Sequence, residues 1–71
     1  MKRLAILGGG ESGVGTAILA KQKNYEVFVS DKGTIAEKYK KVLLHNDIAF
    51  EENQHTEAKI FNADLVMKST W

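Results

Sequence analysis

Short apolar runs alternate along the chain with stretches whose apolar side chains recur at helical spacing. Residues 4–7 form a continuous apolar run that ends in glycines, which is typical of a strand buried on both faces of a parallel sheet. The pattern that follows predicts a helix over residues 12–23, with Asn24 as its C-terminal stop. Residues 25–30 are rich in β-branched and aromatic side chains and predict a second strand.

The second half of the chain continues the alternation. Thr34 and Glu37 have the spacing of a capping box, with Thr34 as N-cap. The helix predicted after them has one apolar stripe, formed by Ile35, Tyr39, Val42 and Leu43. Residues 48–50 predict a third strand, residues 56–61 a short helix and residues 63–67 a fourth strand.

This strict order of strands and helices predicts the fold class. It is α/β, with Rossmann-like βαβ units and a parallel sheet of about four strands flanked by helices. Most doubly wound domains have a fifth or sixth strand, so we expect a truncated architecture.

Composition narrows the function classes. The 71 residues allow one small domain, and cysteine is absent, which excludes disulfide scaffolds and thiol chemistry. The net charge is +1 with Lys and Glu interspersed, so we expect neither nucleic acid nor a membrane as partner. The apolar run after Met1-Lys2-Arg3 is too short for a signal peptide, which predicts a cytosolic protein.

The strongest candidate site is the glycine loop between the first strand and the first helix. Gly8, Gly10 and Gly13 match the G-x-G-x-x-G spacing of dinucleotide-binding loops. Such glycines allow the tight turn, the approach of phosphate to the backbone and the packing of helix on strand, while the helix N-terminus attracts an anion. The alternative is a glycine-rich turn needed only for packing. The chain lacks the G-x-x-x-x-G-K-[ST] loop of ATP-hydrolysing proteins.

Three polar residues near this loop bear on the ligand. Asp31 follows the second strand, where an acid can accept hydrogen bonds from ribose hydroxyls, although it also suits a turn. Ser12 could donate to a phosphate oxygen or cap the helix. Glu11 would repel a pyrophosphate unless its side chain points away.

The remaining candidates favour structural or surface roles. His45 and His55 have no partner at metal-ligand spacing, and we interpret both as surface residues. A small charge run predicts the solvated side of the second helix; it consists of Lys38, Lys40 and Lys41. Trp71 could pack or could be a ragged end. We predict no catalytic residue and no metal ligand in this chain.

Residues 4–15, 27–31 and 63–69 together resemble the N-terminal domain of bacterial Mur ligases, most closely that of the members that add D-glutamate. The resemblance covers essentially the whole chain and implies that residues 1–71 are a UDP-binding N-terminal domain of a larger multidomain ligase. Members of the family usually continue the serine that matches Ser69 into Pro-Gly-Ile, whereas this chain continues into Thr70-Trp71.

The resemblance also implies roles for single residues. Glu11, Ser12 and Gly13 would lie against the diphosphate through backbone N–H groups, with help from the Ser12 hydroxyl. Asp31 and Lys32 would meet the uridine. The substrate-binding residues expected for UDP are thus Gly8, Gly10, Glu11, Ser12, Gly13, Asp31, Lys32 and Ser69, the last of which would begin a loop over the uracil side.

For the full enzyme, the resemblance implies ATP-driven amide formation on UDP-N-acetylmuramoyl-L-alanine in the cytoplasmic stage of peptidoglycan synthesis. ATP and Mg would be held by a central domain, and a C-terminal domain would receive the amino acid, so we expect the 71 residues alone to be inactive and without a cofactor. A homo-oligomer is a further expectation. Two alternatives remain open: an NAD(P)-binding segment of an oxidoreductase and a stand-alone nucleotide-binding module.

Overall fold

The computed structural model of the chain describes residues 1–69, and Trp71 lies outside the described residues. Strands and helices alternate along the chain, as the sequence predicts. The elements are β1 (Arg3–Leu7), α1 (Glu11–Gln22), β2 (Glu26–Ser30), α2 (Glu37–His45), β3 (Ala49–Glu51), α3 (Glu57–Phe61) and β4 (Leu65–Lys68).

Within residues 1–69, the strands form one four-stranded parallel sheet in the order β3-β2-β1-β4. Leu4 of β1 pairs with Val27 on one side and with Leu65 on the other. The α/β class with a parallel sheet and flanking helices is therefore confirmed. Because the strands are parallel, the loops that follow β1, β2 and β4 all emerge at one edge of the sheet.

The hydrophobic core lies between the sheet and the first two helices. Its fully or nearly buried side chains are Leu4, Ile6, Val14, Ala17, Ala20, Val27, Val29, Ile35, Leu43 and Ile48. Val27 and Val29 alternate with Phe28, which points to the opposite face of the sheet. There the ammonium group of Lys59 in α3 lies 5.6 Å from the centre of the Phe28 ring. Helices therefore cover both faces.

Most predicted boundaries differ from the structure by one or two residues, because hydrogen bonds rather than hydrophobicity end each element. Asn24 is confirmed as the stop of α1: its φ of 67° lies in the left-handed region that a helix cannot continue through. The amide of Ile48 donates to Leu43 O at 2.9 Å, which ties Ile48 to the end of α2 and delays β3 to Ala49. β4 likewise begins at Leu65, opposite Leu4.

The predicted capping box is wrong. The N-cap of α2 is Ala36, and the Thr34 hydroxyl donates instead to Asn53 Oδ1 at 3.1 Å. Ile35, predicted on the helix, precedes it with a nearly fully buried side chain, and its amide donates to Glu52 Oε1 at 2.9 Å. Contacts with the segment after β3 outweigh the local capping preference.

The prediction of a solvated lysine face is wrong for Lys40. Its side chain is only 21% exposed, and its ammonium group donates to Glu52 Oε2 at 2.8 Å. This hydrogen bond raises the pKa of Lys40 and lowers that of Glu52. Lys38 and Lys41 are exposed, as predicted.

The edge of the sheet that β4 forms exposes an apolar surface. Leu65, Val66 and Met67 of β4 are each nearly half exposed, and Leu19 of α1 is 55% exposed beside them. Together with neighbouring side chains they line an open groove of about 370 Å³. Among residues 1–69, no helix combines the length and the apolar character needed to cross a bilayer.

The first turn of α1 lies very close to the backbone at the end of β1. A Cβ added at Gly13 would collide with the carbonyl oxygen of Gly8. Gly8 itself has φ +121°, in the region that favours glycine. The packing role of the third glycine is thus visible directly: it lets the first turn of α1 lie against the backbone of β1.

Gly13→Ala should therefore destabilise the chain by about 1–3 kcal/mol or more, because the new methyl group has no free space and the backbone must shift. Urea unfolding followed by circular dichroism measures the change. Gly15→Ala is the matched control: a Cβ there meets nothing within 4 Å, so this variant should gain up to about 1 kcal/mol of helix propensity. Equal stability of the two variants would contradict the packing assignment.

Candidate functional site

The loops after β1, β2 and β4 surround an open cleft of about 680 Å³, which we call the glycine-loop cleft. It is lined by Gly8, Gly10, Glu11, Ser12, Asp31 and Ser69. These residues come from the glycine loop and the first turn of α1, from the loop after β2 and from the residue after β4, and the sequence predicts all of them as site residues. Gly13, predicted with them, is buried behind the loop.

The N-terminus of α1 opens onto this cleft. Gly10 is the N-cap, and the first intrahelical hydrogen bond runs from the Val14 amide to Gly10 O at 2.9 Å. The amides of Glu11, Ser12 and Gly13 precede that bond, so they belong to the N–H groups that a helix cannot satisfy internally. They and the helix dipole favour an anion at this point.

The structure shows where the side chains of Ser12 and Glu11 lie relative to the start of α1. Ser12 is the second residue of α1, whereas the cap position belongs to Gly10, so the interpretation of Ser12 as a helix cap is wrong. Ser12 is half-buried and lines the cleft. Glu11 is exposed in the first helical turn, where a carboxylate interacts favourably with the dipole.

Asp31 connects two loops at the site. One carboxylate oxygen accepts from the Gly9 amide at 2.7 Å and the other from the Gly33 amide at 2.8 Å. Asp31 therefore stabilises a turn and also lines the cleft, two roles that the sequence offers as alternatives. Each carboxylate oxygen has a second lone pair, so Asp31 can still accept from a ligand.

Backbone hydrogen bonds fix the first glycine between its neighbours. The Gly8 amide donates to Ser30 O at 2.8 Å, and the Ser69 amide donates to Leu7 O at 2.9 Å. A Cβ on Gly8 would lie 2.8 Å from Cβ of Ser69, so only glycine allows Ser69 this close. The predicted loop residue Ser69 is thus held against the glycine loop.

A second cleft of about 400 Å³ adjoins the first. Its lining residues are Leu7, Gly8, Asp31, Lys32, His55, Lys68 and Ser69. Three of them also line the glycine-loop cleft, so the two clefts are continuous with each other along this edge of the sheet. Lys32, predicted from the sequence, faces this second cleft rather than the first.

A buried polar cluster next to the second cleft was not predicted. Glu51, only 6% exposed, accepts from the Thr56 amide at 2.7 Å and from the Thr56 hydroxyl at 2.6 Å. It also accepts from the hydroxyl of fully buried Ser30 at 2.8 Å. Burial opposes ionisation of this carboxyl, but these hydrogen bonds outweigh it, so the pKa of Glu51 lies below its ordinary value.

His45 and His55 are exposed, as predicted, but His55 is also part of this cluster, since its Nδ1 lies 2.6 Å from Ser30 Oγ. An acid at the end of a strand, followed by Thr56 at a helix start, is the signal that could have indicated the cluster. In residues 1–69, no three acidic or histidine side chains lie close enough together to hold a metal ion.

Comparison with known proteins gives one consistent family. A family model described as the MurD N-terminal domain matches residues 3–70. UDP-N-acetylmuramoylalanine--D-glutamate ligase of Christiangramia forsetii is 65% identical over 68 residues, which are 96% of this chain and 15% of that protein. The protein of the same name from Bacteroides thetaiotaomicron is 58% identical over 69 residues, 97% of this chain and 16% of that protein. The chain thus spans about 15% of the length of the curated relatives it matches.

The low pKa of Glu51 has a consequence for stability. At neutral pH, Glu51→Gln should destabilise the chain by about 1–3 kcal/mol, because an amide cannot accept from all the donors around it. Since the folded-state pKa is depressed, the carboxylate stabilises the fold above pH 4.5, its ordinary value, and this contribution is lost as the pH falls further. Unfolding curves at several pH values should therefore show the two proteins converging in acid.

Glu57→Gln provides the control for charge alone, because Glu57 is exposed in the first turn of α3. This variant should keep nearly wild-type stability at pH 7. A gap between wild type and Glu51→Gln that stays constant down to pH 2 would contradict the account of the buried carboxylate.

Proposed function

The chain belongs to the MurD N-terminal domain family, and we propose that it binds the UDP part of UDP-N-acetylmuramoyl-L-alanine. The observation that carries the proposal is the glycine-loop cleft, where a helix N-terminus meets the loops after three parallel strands. The names of the relatives give a UDP-linked compound as substrate, which supports the choice of ligand.

The diphosphate lies at the N-terminus of α1. Its oxygens accept from the amides of Glu11, Ser12 and Gly13, and the Ser12 hydroxyl donates to one of them. Gly10 gives the phosphate access to the backbone, since a Cβ there would point into open space. Glu11 takes part through its amide, with its exposed carboxylate in solvent.

The nucleoside lies towards the second cleft. Asp31 accepts a hydrogen bond from it with the lone pairs that Gly9 and Gly33 leave available. Lys32 and Ser69 line the same space and contact the uridine. Ligands of parallel α/β sheets bind outside the carboxyl ends of the strands, which supports this direction for the nucleotide.

We further propose that the chain acts within a longer D-glutamate ligase of cytoplasmic peptidoglycan synthesis, which uses ATP and Mg. The residues of this chain do not fit the ATP phosphates: Gly8 and Gly13 have the spacing of an ATP-binding loop, but Val14 and Gly15 stand where it needs lysine and a hydroxyl. ATP and the catalytic residues therefore belong to other domains.

The second candidate is an NAD(P)-binding segment of an oxidoreductase. The G-x-G-x-x-G spacing and Asp31 after β2 favour it as much as they favour UDP. A stand-alone nucleotide-binding module is the third, and it requires a stable fold with affinity of its own. The family membership supports UDP over these two alternatives.

Titration of the ¹⁵N-labelled chain with UDP tests the proposal. UDP should shift the amide resonances of Gly8–Gly13 and Asp31, because phosphate and nucleoside contact them, whereas NAD at the same concentration should not. Stronger shifts of the same amides with NAD would support the oxidoreductase instead. A spectrum typical of an unfolded chain would argue against the stand-alone module.

Gly10→Val should weaken UDP binding at least about tenfold, the equivalent of about 1.4 kcal/mol, because the side chain would occupy the space through which phosphate reaches the amides. Calorimetry or the same titration measures the loss. Gly15→Val is the matched control, since it adds the same side chain at a position inside α1 that is equally open. Equal affinity of both variants would contradict the placement of the diphosphate.

A further inference from the structure

Ser30 links a buried carboxylate to an exposed histidine beside the second cleft. Its hydroxyl oxygen lies 2.8 Å from Glu51 Oε2, 3.2 Å from Gln54 O and 2.6 Å from Nδ1 of His55. Ser30 is fully buried at the end of β2, so these neighbours are fixed by the fold. None of this arrangement is used by the UDP contacts described above.

Counting protons assigns the tautomer of His55. A serine hydroxyl has one proton, and both Glu51 Oε2 and Gln54 O can only accept. The Ser30 proton therefore points to one of these oxygens, and the short contact with His55 requires a proton on Nδ1. In the neutral ring, this leaves Nε2 with a free lone pair, so Nε2 is an acceptor.

His55 lies where its Nε2 can accept a hydrogen bond from a ligand in the second cleft. His55 lines the second cleft together with Asp31, Lys32 and Ser69, the residues proposed to contact the uridine. Nδ1 is engaged by Ser30, so Nε2 is the ring nitrogen left for a ligand. An acceptor cannot pair with a diphosphate, which offers only acceptors, but it can pair with a ribose hydroxyl or with the imide N–H of uracil.

We propose that Nε2 of His55 accepts a hydrogen bond from the nucleoside half of the nucleotide and thereby contributes to specificity for it. Ser30 and Glu51 are positioning residues, because they hold the ring and set its tautomer without touching the ligand. This inference rests on the proposed UDP function and adds a contact that the glycine loop and Asp31 do not provide.

Two substitutions of His55 separate ligand contact from structure. Asparagine places an amide nitrogen near the position of Nδ1 and can keep the bond to Ser30, but it has nothing at Nε2. Glutamine reaches the position of Nε2. His55→Asn should weaken UDP binding about three- to tenfold, the value of one hydrogen bond, and should leave binding of inorganic pyrophosphate unchanged. His55→Gln should keep most of the UDP affinity.

The reverse order, with glutamine weaker than asparagine, would overturn the proposal, as would UDP affinities equal to wild type in both variants. A ¹⁵N spectrum of the free chain that finds the proton of neutral His55 on Nε2 would also overturn it. Spectra of the amide groups verify that each variant is folded.

Failure of the proposed function gives a different result. In that case the wild-type chain itself does not bind UDP, whether or not it binds pyrophosphate, whereas a failure confined to His55 leaves UDP binding by the wild-type chain intact.

Analogues identify the donor. The donor is the 2′-hydroxyl if 2′-deoxy-UDP binds wild type more weakly than UDP does but loses nothing further in His55→Asn. N3-methyl-UDP makes the same comparison for the imide N–H, and 3′-deoxy-UDP makes it for the 3′-hydroxyl. If all three analogues lose affinity equally in wild type and in His55→Asn, the histidine contacts none of these groups and the proposal is overturned.

Discussion

The contact between Gly13 and the carbonyl group of Gly8 determines the geometry of everything at the candidate site. It allows α1 to start directly beside the end of β1, because neither backbone has a side chain in between. The unsatisfied amides of the first turn are thereby placed at the edge of the sheet where the loops after β2 and β4 also end. Asp31 then ties the glycine loop to the loop after β2 through the Gly9 and Gly33 amides. The proposed ligand would meet groups that are already held in position, which would lower the entropy cost of binding.

The parts of this arrangement that depend on local signals could be predicted from the sequence. Strand and helix patterns are local, and so is the spacing of the glycines, so the alternation, the parallel sheet and the residues of the glycine-loop cleft could be predicted. Asn24 could be predicted as a stop for the same reason, because a left-handed conformation follows from the residue type.

The missed features depend on partners far apart in the chain. Glu52 draws Lys40 and the Ile35 amide to itself, which buries a lysine that the charge run assigned to solvent. The cluster around Glu51 joins the end of β2 to the segment after β3, and the local signal of an acid before a helix start indicates only the contact with Thr56, not the one with Ser30. The capping box failed in the same way, since Thr34 found a partner on that distant segment.

The central claim is that the N-terminus of α1 holds the diphosphate of a UDP-linked substrate. A crystal structure of the chain with UDP tests it most directly. The account predicts phosphate oxygens within hydrogen-bond distance of the Glu11, Ser12 and Gly13 amides, with the nucleoside directed towards Asp31 and the second cleft. A diphosphate bound away from α1, with the glycine loop unchanged and free of ligand, would contradict it.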